Sequence, residues 1–370
     1  MTEQSNQRAH SDVAVRFKVR EVEQADLPAV YSLYRSIEPD HNISFEAYSA
    51  WWRWLFLESP AGQGFALGGF SDEGVCFGHV GMVPFAYFVD GHSVVAGFPC
   101  KLMVAQTHRK SLLYPTLVQR LLRTYTKHGM SLTLAPITRA RVLEANLALG
   151  FKRGPRFAVL ARPIAAEKLA REILPGFLKP FAPLASVANP LLRPAWRLGK
   201  SREFVVDVLN DWQGAASFLE ISRAWARCIQ PQRTMAMMKW RFRAELGRGY
   251  VSFGVKRRDE LVGYAVVRPM PMLSFRALGI VDINWNPDVI GAGSALLRRI
   301  HQEAVAQGVD LVAALVDPGG ELAGELRKIG YMPTPAAFTW VSHQPAGAAV
   351  AIHARPAVDW AEGWLAHDYV

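Results

Sequence analysis

The chain has 370 residues, 50% of them hydrophobic and 20% charged, a globular composition with length for two cores. No apolar run reaches the roughly 18 residues of a membrane span, and the scattered Cys76, Cys100 and Cys228 fit neither a disulfide framework nor a zinc site, so no metal is expected. The net charge of +10 suits an anionic partner such as nucleic acid, lipid headgroups or a phosphorylated cofactor, but no dense basic block with interleaved aromatics marks a DNA surface.

Residues 1–13 are polar and read as a disordered arm, not a secretory signal, so a reduced, cytoplasmic setting is expected. Residues 15–23 alternate as a strand, and Asp26 is an N-cap for a helix through Val30, Leu33 and Tyr34. After Trp51, Trp52 and Trp54, residues 64–70, 75–83, 85–89 and 94–104 read as an antiparallel meander with a bend or edge at Pro84. Leu113, Leu117, Leu121 and Leu122 then place a helix over 112–127 that stops at Gly129. Strand 130–137, helix 141–149 and strand 151–161 complete a mixed α/β unit with helices on both faces.

From Phe204 the order repeats. Strands 251–256, 261–268 and 278–284, the first two joined by a hairpin turn at Arg257 to Glu260, lead to helix 291–307, strand 311–316, helix 321–328 and strand 338–341. Trp54 followed by Gln63-Gly64-Phe65 is answered by Trp240 followed by Arg248-Gly249-Tyr250. Leu149-Gly150-Phe151 is answered by Ile329-Gly330-Tyr331. The spacing of roughly 180 residues is that of whole domains, not of a solenoid repeat. Two domains, 14–165 and 203–345, are therefore expected, joined by a linker over 166–202. That linker is rich in proline and apolar residues, with Lys179, Arg193 and Arg197 and no acid from 174 to 198. It reads as packed between the domains; a membrane-surface patch is the rival reading. The tail 346–370, with Trp360 and Trp364, is expected to dock on the second domain. The recurring tryptophans read as shared packing in preference to a sugar-stacking platform.

The segment Lys101-Leu102-Met103-Val104 ends a strand, Arg109-Lys110-Ser111-Leu112-Leu113-Tyr114 forms the loop into the next helix, and Asp288-Val289-Ile290-Gly291-Ala292-Gly293 holds the same place in the second half. In element order and in these segments the chain resembles the GNAT acyltransferase superfamily in tandem form. There, the loop after the fourth strand reads Gln/Arg-x-x-Gly-x-Gly/Ala, and its amides hold the pyrophosphate of acyl-CoA at a helix N-terminus. The resemblance implies two tandem GNAT-like domains. It also implies that Met103 and Val104 offer backbone to the pantetheine and that Arg109, Lys110, Ser111, Leu112, Leu113 and Tyr114 hold the phosphates. The first loop keeps the basic residue without the glycines. The second keeps both glycines but has Asp288 where a base is usual, so the second domain is expected to be degenerate.

Many relatives carry a tyrosine four positions before the glycine of the aliphatic-Gly-aromatic element; here Asn146 and Leu326 stand there, and Asn146 is the remaining donor candidate. His79 and Lys101 are the other catalytic candidates, with His41 and Glu38 near the expected acceptor side, while Cys100 reads as a buried structural thiol. The resemblance implies an acyl-CoA-dependent N-acyltransferase, with acetyl-CoA or another acyl-CoA as co-substrate and an amine of a small metabolite or amino sugar as acceptor. The rivals are a transferase using aminoacyl-tRNA or an acyl carrier protein, and a non-catalytic binding protein built from two GNAT folds. A homodimer is compatible with either.

Overall fold

The computed structural model describes residues 17–173, 176–189, 203–210, 212, 214–221, 229–272, 274–348, 351–360 and 363–365. The expected N-terminal arm, much of the expected linker, Cys228 and the end of the tail lie outside the described residues.

The first half runs β1 (Lys18–Glu21), α1 (Leu27–Ile37), α2 (Phe45–Leu57), β2 (Phe65–Phe70), β3 (Cys76–Val89), β4 (His92–Val104), α3 (Leu113–Thr124), β5 (Leu132–Ile137), α4 (Ala140–Ala148) and β6 (Lys152–Pro163). After α5 (Ala166–Ile173) and a 3-10 stretch over Gly176–Ala188, the second half runs β7 (Phe204–Val208), α6 (Ala216–Ile221), β8 (Ile229–Pro231), α7 (Met235–Arg241), β9 (Val251–Arg257), β10 (Glu260–Met272), β11 (Phe275–Trp285), α8 (Ala292–Ala306), β12 (Leu311–Val316), α9 (Glu321–Lys328) and β13 (Met332–His343). No helix among the described residues is long and apolar enough to cross a membrane.

The strands form one sheet in the order β1-β2-β3-β4-β5-β13-β6-β12-β11-β10-β9-β7, with β8 on the edge of β3. Its centre is an exchange. The last strand of the second half, β13, lies between β5 and β6, while the last strand of the first half, β6, lies against β12. Each half's last strand is thus paired by strands of the other half, and neither half closes its own sheet.

Matching residues build the two halves. Ser44 caps α2 by accepting from the Ala47 amide, and Thr234 caps α7 by accepting from the Met237 amide, both at 3.2 Å. These two helices carry Trp54 and Trp240 to one point. Trp54 Nε1 donates to the Trp240 carbonyl at 2.9 Å, Trp240 Nε1 donates to the Trp54 carbonyl at 3.1 Å, and the rings lie 5.2 Å apart. The repeated indoles are therefore the hinge of a pseudo-two-fold packing and not a sugar platform. Gly150 and Gly330, both at positive φ, end α4 and α9, and the next residues, Phe151 and Tyr331, bond back to the Asn146 and Leu326 carbonyls. The β9–β10 turn takes positive φ at Arg258 and Asp259, the hairpin geometry expected there.

One local expectation holds and one is corrected. β3 continues through Pro84, which lies at an unpaired edge of the strand. Ser59 Oγ donates to the Pro84 carbonyl at 2.9 Å, so the missing amide faces the same way, where β2 has ended at Met82 and β8 has not begun. Asp26 stands before α1 but does not cap it through its side chain, because its carboxylate accepts from Arg20 and from the Glu23 amide. In the tail, Trp360 and Trp364 are buried, and Trp360 packs on Trp340 of β13.

Candidate active site

The site is built where a parallel strand pair comes apart. β4 and β5 pair only at Ala96↔Leu132 and Gly97↔Thr133; beyond them β4 stays on β3, and a gap opens toward the strand ends. Along that gap Met103 pairs with His79 and Val104 with Gly78 on one edge, which leaves their other edge toward β5. α1 and α2 cover one face of the sheet and pack on Val83 and Phe85. α3 covers the other and packs on Val80 and Met82.

Inside the gap β4 bulges, with Lys101 and Leu102 standing against the single Val80 of β3. Lys101 takes φ +50, a left-handed conformation that costs a non-glycine residue roughly 1–2 kcal/mol. His79 holds the bulge, since its Nδ1–H donates to the Lys101 carbonyl at 2.8 Å. The His79 ring is fully buried, and burial depresses its pKa to about 4, so it is neutral with an unprotonated Nε2 that has no partner among the described residues. His79 is thus a buried brace beneath the bulge.

The Lys101 side chain leaves the bulge on the α2 face and lies over the Trp51 ring, 4.4 Å from its centroid. Burial pulls its pKa down to about 8; Arg248 of the second half pushes the same way, while Cys100 and Glu38 oppose. An amine able to be neutral near physiological pH therefore sits on the α1/α2 side of the gap. Burial pushes the neighbouring Cys100 thiol up to about 12, which makes it an unreactive neighbour. His41 is taken up locally: Tyr34 Oη bonds its Nδ1, and Arg35 donates to its carbonyl.

At the mouth of the gap, a 3-10 turn over Gln106–His108 delivers the loop to α3. His108 is buried and stacks on Phe77 at 4.1 Å, which fixes the loop, and burial lowers its pKa. Arg109 and Lys110 are exposed, Ser111 Oγ accepts from the Leu113 amide, and Leu112 stands open to solvent. The start of α3 is seated close on the sheet, because Leu113 wedges against Gly69 and Gly78, where an added Cβ would come within 2.4 and 2.8 Å of it. Asn146 does not face the gap alone: its Nδ2 donates to the Val142 carbonyl at 2.7 Å and to Tyr114 Oη at 3.3 Å, tying α4 to α3.

The second half repeats the geometry with other chemistry. β11 and β12 part beyond Ile280↔Ala314, beside a cavity of about 210 Å³. Counted from the first residue of each parallel pair, Ala277 in β11 and Ala96 in β4, Asp282 stands at the step of Lys101, and it is held by the Arg233 guanidinium and by Tyr264 Oη at 2.5 Å. The loop glycines lie against the chain's own aromatics. An added Cβ at Gly293 would strike the Trp285 indole at 2.8 Å, and one at Gly291 would meet Phe204 at 3.1 Å. Gly363 of the tail lies beside the Val281 and Leu315 carbonyls, within the opening.

Two halves of meander plus βαβ, each with a parallel pair that parts around a β4-type bulge, define a tandem GNAT fold. No protein-family model matches the chain, and no curated protein matches it. Solved structures do. A GCN5-related N-acetyltransferase from Anabaena variabilis superposes with a TM-score of 0.59 at 13% identity, over 89% of this chain and 73% of that one. Saccharomyces cerevisiae N-myristoyltransferase with bound myristoyl-CoA gives 0.59 at 14% identity, over 89% and 79%. A tandem GNAT protein from the clavulanic acid biosynthesis pathway gives 0.56 at 11% identity, over 89% of this chain and 98% of that one.

Trp51 and Arg248 were not singled out as site residues by sequence reasoning. In sequence the Trp-rich segment reads as a packing repeat with a sugar-stacking platform as the rival, and nothing local signals that its first indole turns to a lysine on β4.

Proposed function

We propose that the chain is an acyl-CoA-dependent N-acyltransferase acting on a primary amine of a small metabolite or amino sugar, with its working site in the first half. The observation that carries this reading is the β4–β5 gap, with a basic loop at its mouth on the α3 side and a neutralisable lysine on the α2 side. The fold neighbours with acyltransferase names and bound myristoyl-CoA support it. An acyl-CoA would supply the acyl group as an activated thioester. The residues fit such a group in the first half, where Arg109 and Lys110 can meet phosphates and the gap-side backbone of Met103 and Val104 can pair with amides. They do not fit it in the second, where Trp285 and Phe204 fill the glycine positions.

Lys101 Nζ, neutral above about pH 8, takes the proton that the acceptor ammonium must lose before its nitrogen attacks. Trp51 and the bulge fix where that nitrogen stands. Titration calorimetry with acetyl-CoA and with longer acyl-CoA thioesters tests the reading. Arg109→Ala and Lys110→Ala are expected each to weaken binding by about 10-fold with the fold unchanged, since both side chains are exposed. Absence of binding by every thioester tried would defeat the proposal, and unchanged affinity in both variants would remove the loop assignment.

A further inference from the structure

A second opening in the first half lies on the far side of β5 from the gap. It measures about 240 Å³ and is lined by Arg139, Arg153 and Arg156, with Thr138, Thr339 and Ala140 among its other walls. No acidic side chain lines it, and none of the three arginines has a carboxylate within ion-pair distance among the described residues. Three exposed arginines thus border one opening without a carboxylate among its walls, which leaves a local excess of positive charge that an anion would offset.

The chain breaks its regular pairing to make this opening. β13 and β6 pair at Phe338↔Phe157 and Thr339↔Arg156, but the register slips between Thr339 and Val341 and again between Pro333 and Ala337. The slips leave Arg153 and Arg156 at a loosened stretch of the ladder. α4 begins at the same place. Its N-cap is Arg139, with no side-chain cap, so the first-turn amides and the positive helix end border the same opening. Because Ala337 and Thr339 come from β13, the opening exists only through the strand exchange.

We propose that this opening is a binding site for a phosphate monoester. Guanidinium forks match phosphate oxygens in pairs, the two threonines can add hydroxyl donors, and a volume below the roughly 300–1,000 Å³ of drug-sized pockets suits a single compact group. The phosphate has two chemically equivalent sources, the 3′-phosphate of a CoA donor or a phosphorylated amine acceptor. This inference partly rests on the acyl-transfer reading, and the test keeps the two apart.

Calorimetry on the full chain with CoA, 3′-dephospho-CoA and glucosamine 6-phosphate, repeated on Arg153→Ala and Arg156→Ala, decides it. If the donor's phosphate is the ligand, CoA binds about 10- to 100-fold tighter than 3′-dephospho-CoA and the ratio falls toward one in the variants. If the acceptor's is, the sugar phosphate binds, the variants weaken it by a similar factor, and the CoA ratio stays near one. The proposal is overturned if the native chain binds CoA no tighter than 3′-dephospho-CoA and does not bind glucosamine 6-phosphate, or if both variants bind as the native chain does. CoA binding that depends on Arg109 but not on Arg153 or Arg156 would leave the acyl-transfer reading standing while removing this site.

Discussion

Replacing Lys101 by methionine is expected to lower kcat by about 10²–10⁴-fold at neutral pH, the usual worth of a positioned base, and to move the pH dependence. In the native chain kcat/KM should climb with pH and level off near the Lys101 value of about 8, because the neutral amine is the working form. In the methionine variant that break should disappear and the rate should follow the acceptor amine's own titration at higher pH. A profile that still breaks near 8 in the variant would exclude Lys101 as the base. Lys101→Gly separates chemistry from folding, because glycine takes φ +50 without strain; it should fold at least as well as the native chain and be as inactive as the methionine variant.

The same group sets a slope in stability. Its pKa is depressed from 10.5 to about 8 on folding, so between those values the unfolded chain holds a proton that the folded chain has released. Stability therefore rises as pH climbs through that window, and the slope is absent from both variants.

What could be read in advance followed from local periodicity. The Leu113 to Leu121 face, the glycine stops at Gly129 and Gly150, and the Arg257 to Glu260 hairpin all rest on interactions within a few residues of chain. The strand exchange does not, since nothing in the residues of β13 states that its neighbours are β5 and β6; those partners are far away in the chain and are chosen by packing. The glycine pattern is only half legible for a related reason. Gly291 and Gly293 do mark a close approach, as glycines in such a loop should, but the approaching groups are Phe204 and Trp285. In the first half the close approach is instead between Leu113 of α3 and Gly69 and Gly78 in the strands, which a loop motif does not register. Lys101 stood out as a charge on a strand otherwise apolar, yet its bulge, its backbone strain and its indole partner are products of the assembled sheet.

Truncating Trp54 to alanine is expected to destabilise the chain by about 3–5 kcal/mol, read as a lower urea midpoint, because a fully buried indole is lost from the junction of the halves. Trp54→Phe isolates the polar part of that loss. It keeps a ring against Trp240 but leaves the buried Trp240 carbonyl without the indole donor, at a cost of about 1–3 kcal/mol. Trp240→Phe should cost a similar amount by withdrawing the donor to the Trp54 carbonyl, and the two losses should fail to add in the double variant because the rings are in contact. If Trp54→Phe leaves the midpoint unchanged, the reciprocal pair is not what joins the halves. The indole junction also bears on the chemistry: Trp51 lies one helical turn before Trp54 on α2 and stacks over Lys101. Loosening α2 at Trp54 should let water reach the Lys101 amine, weaken the burial that depresses its pKa, and carry the break in the rate profile upward from about 8 toward the ordinary lysine value.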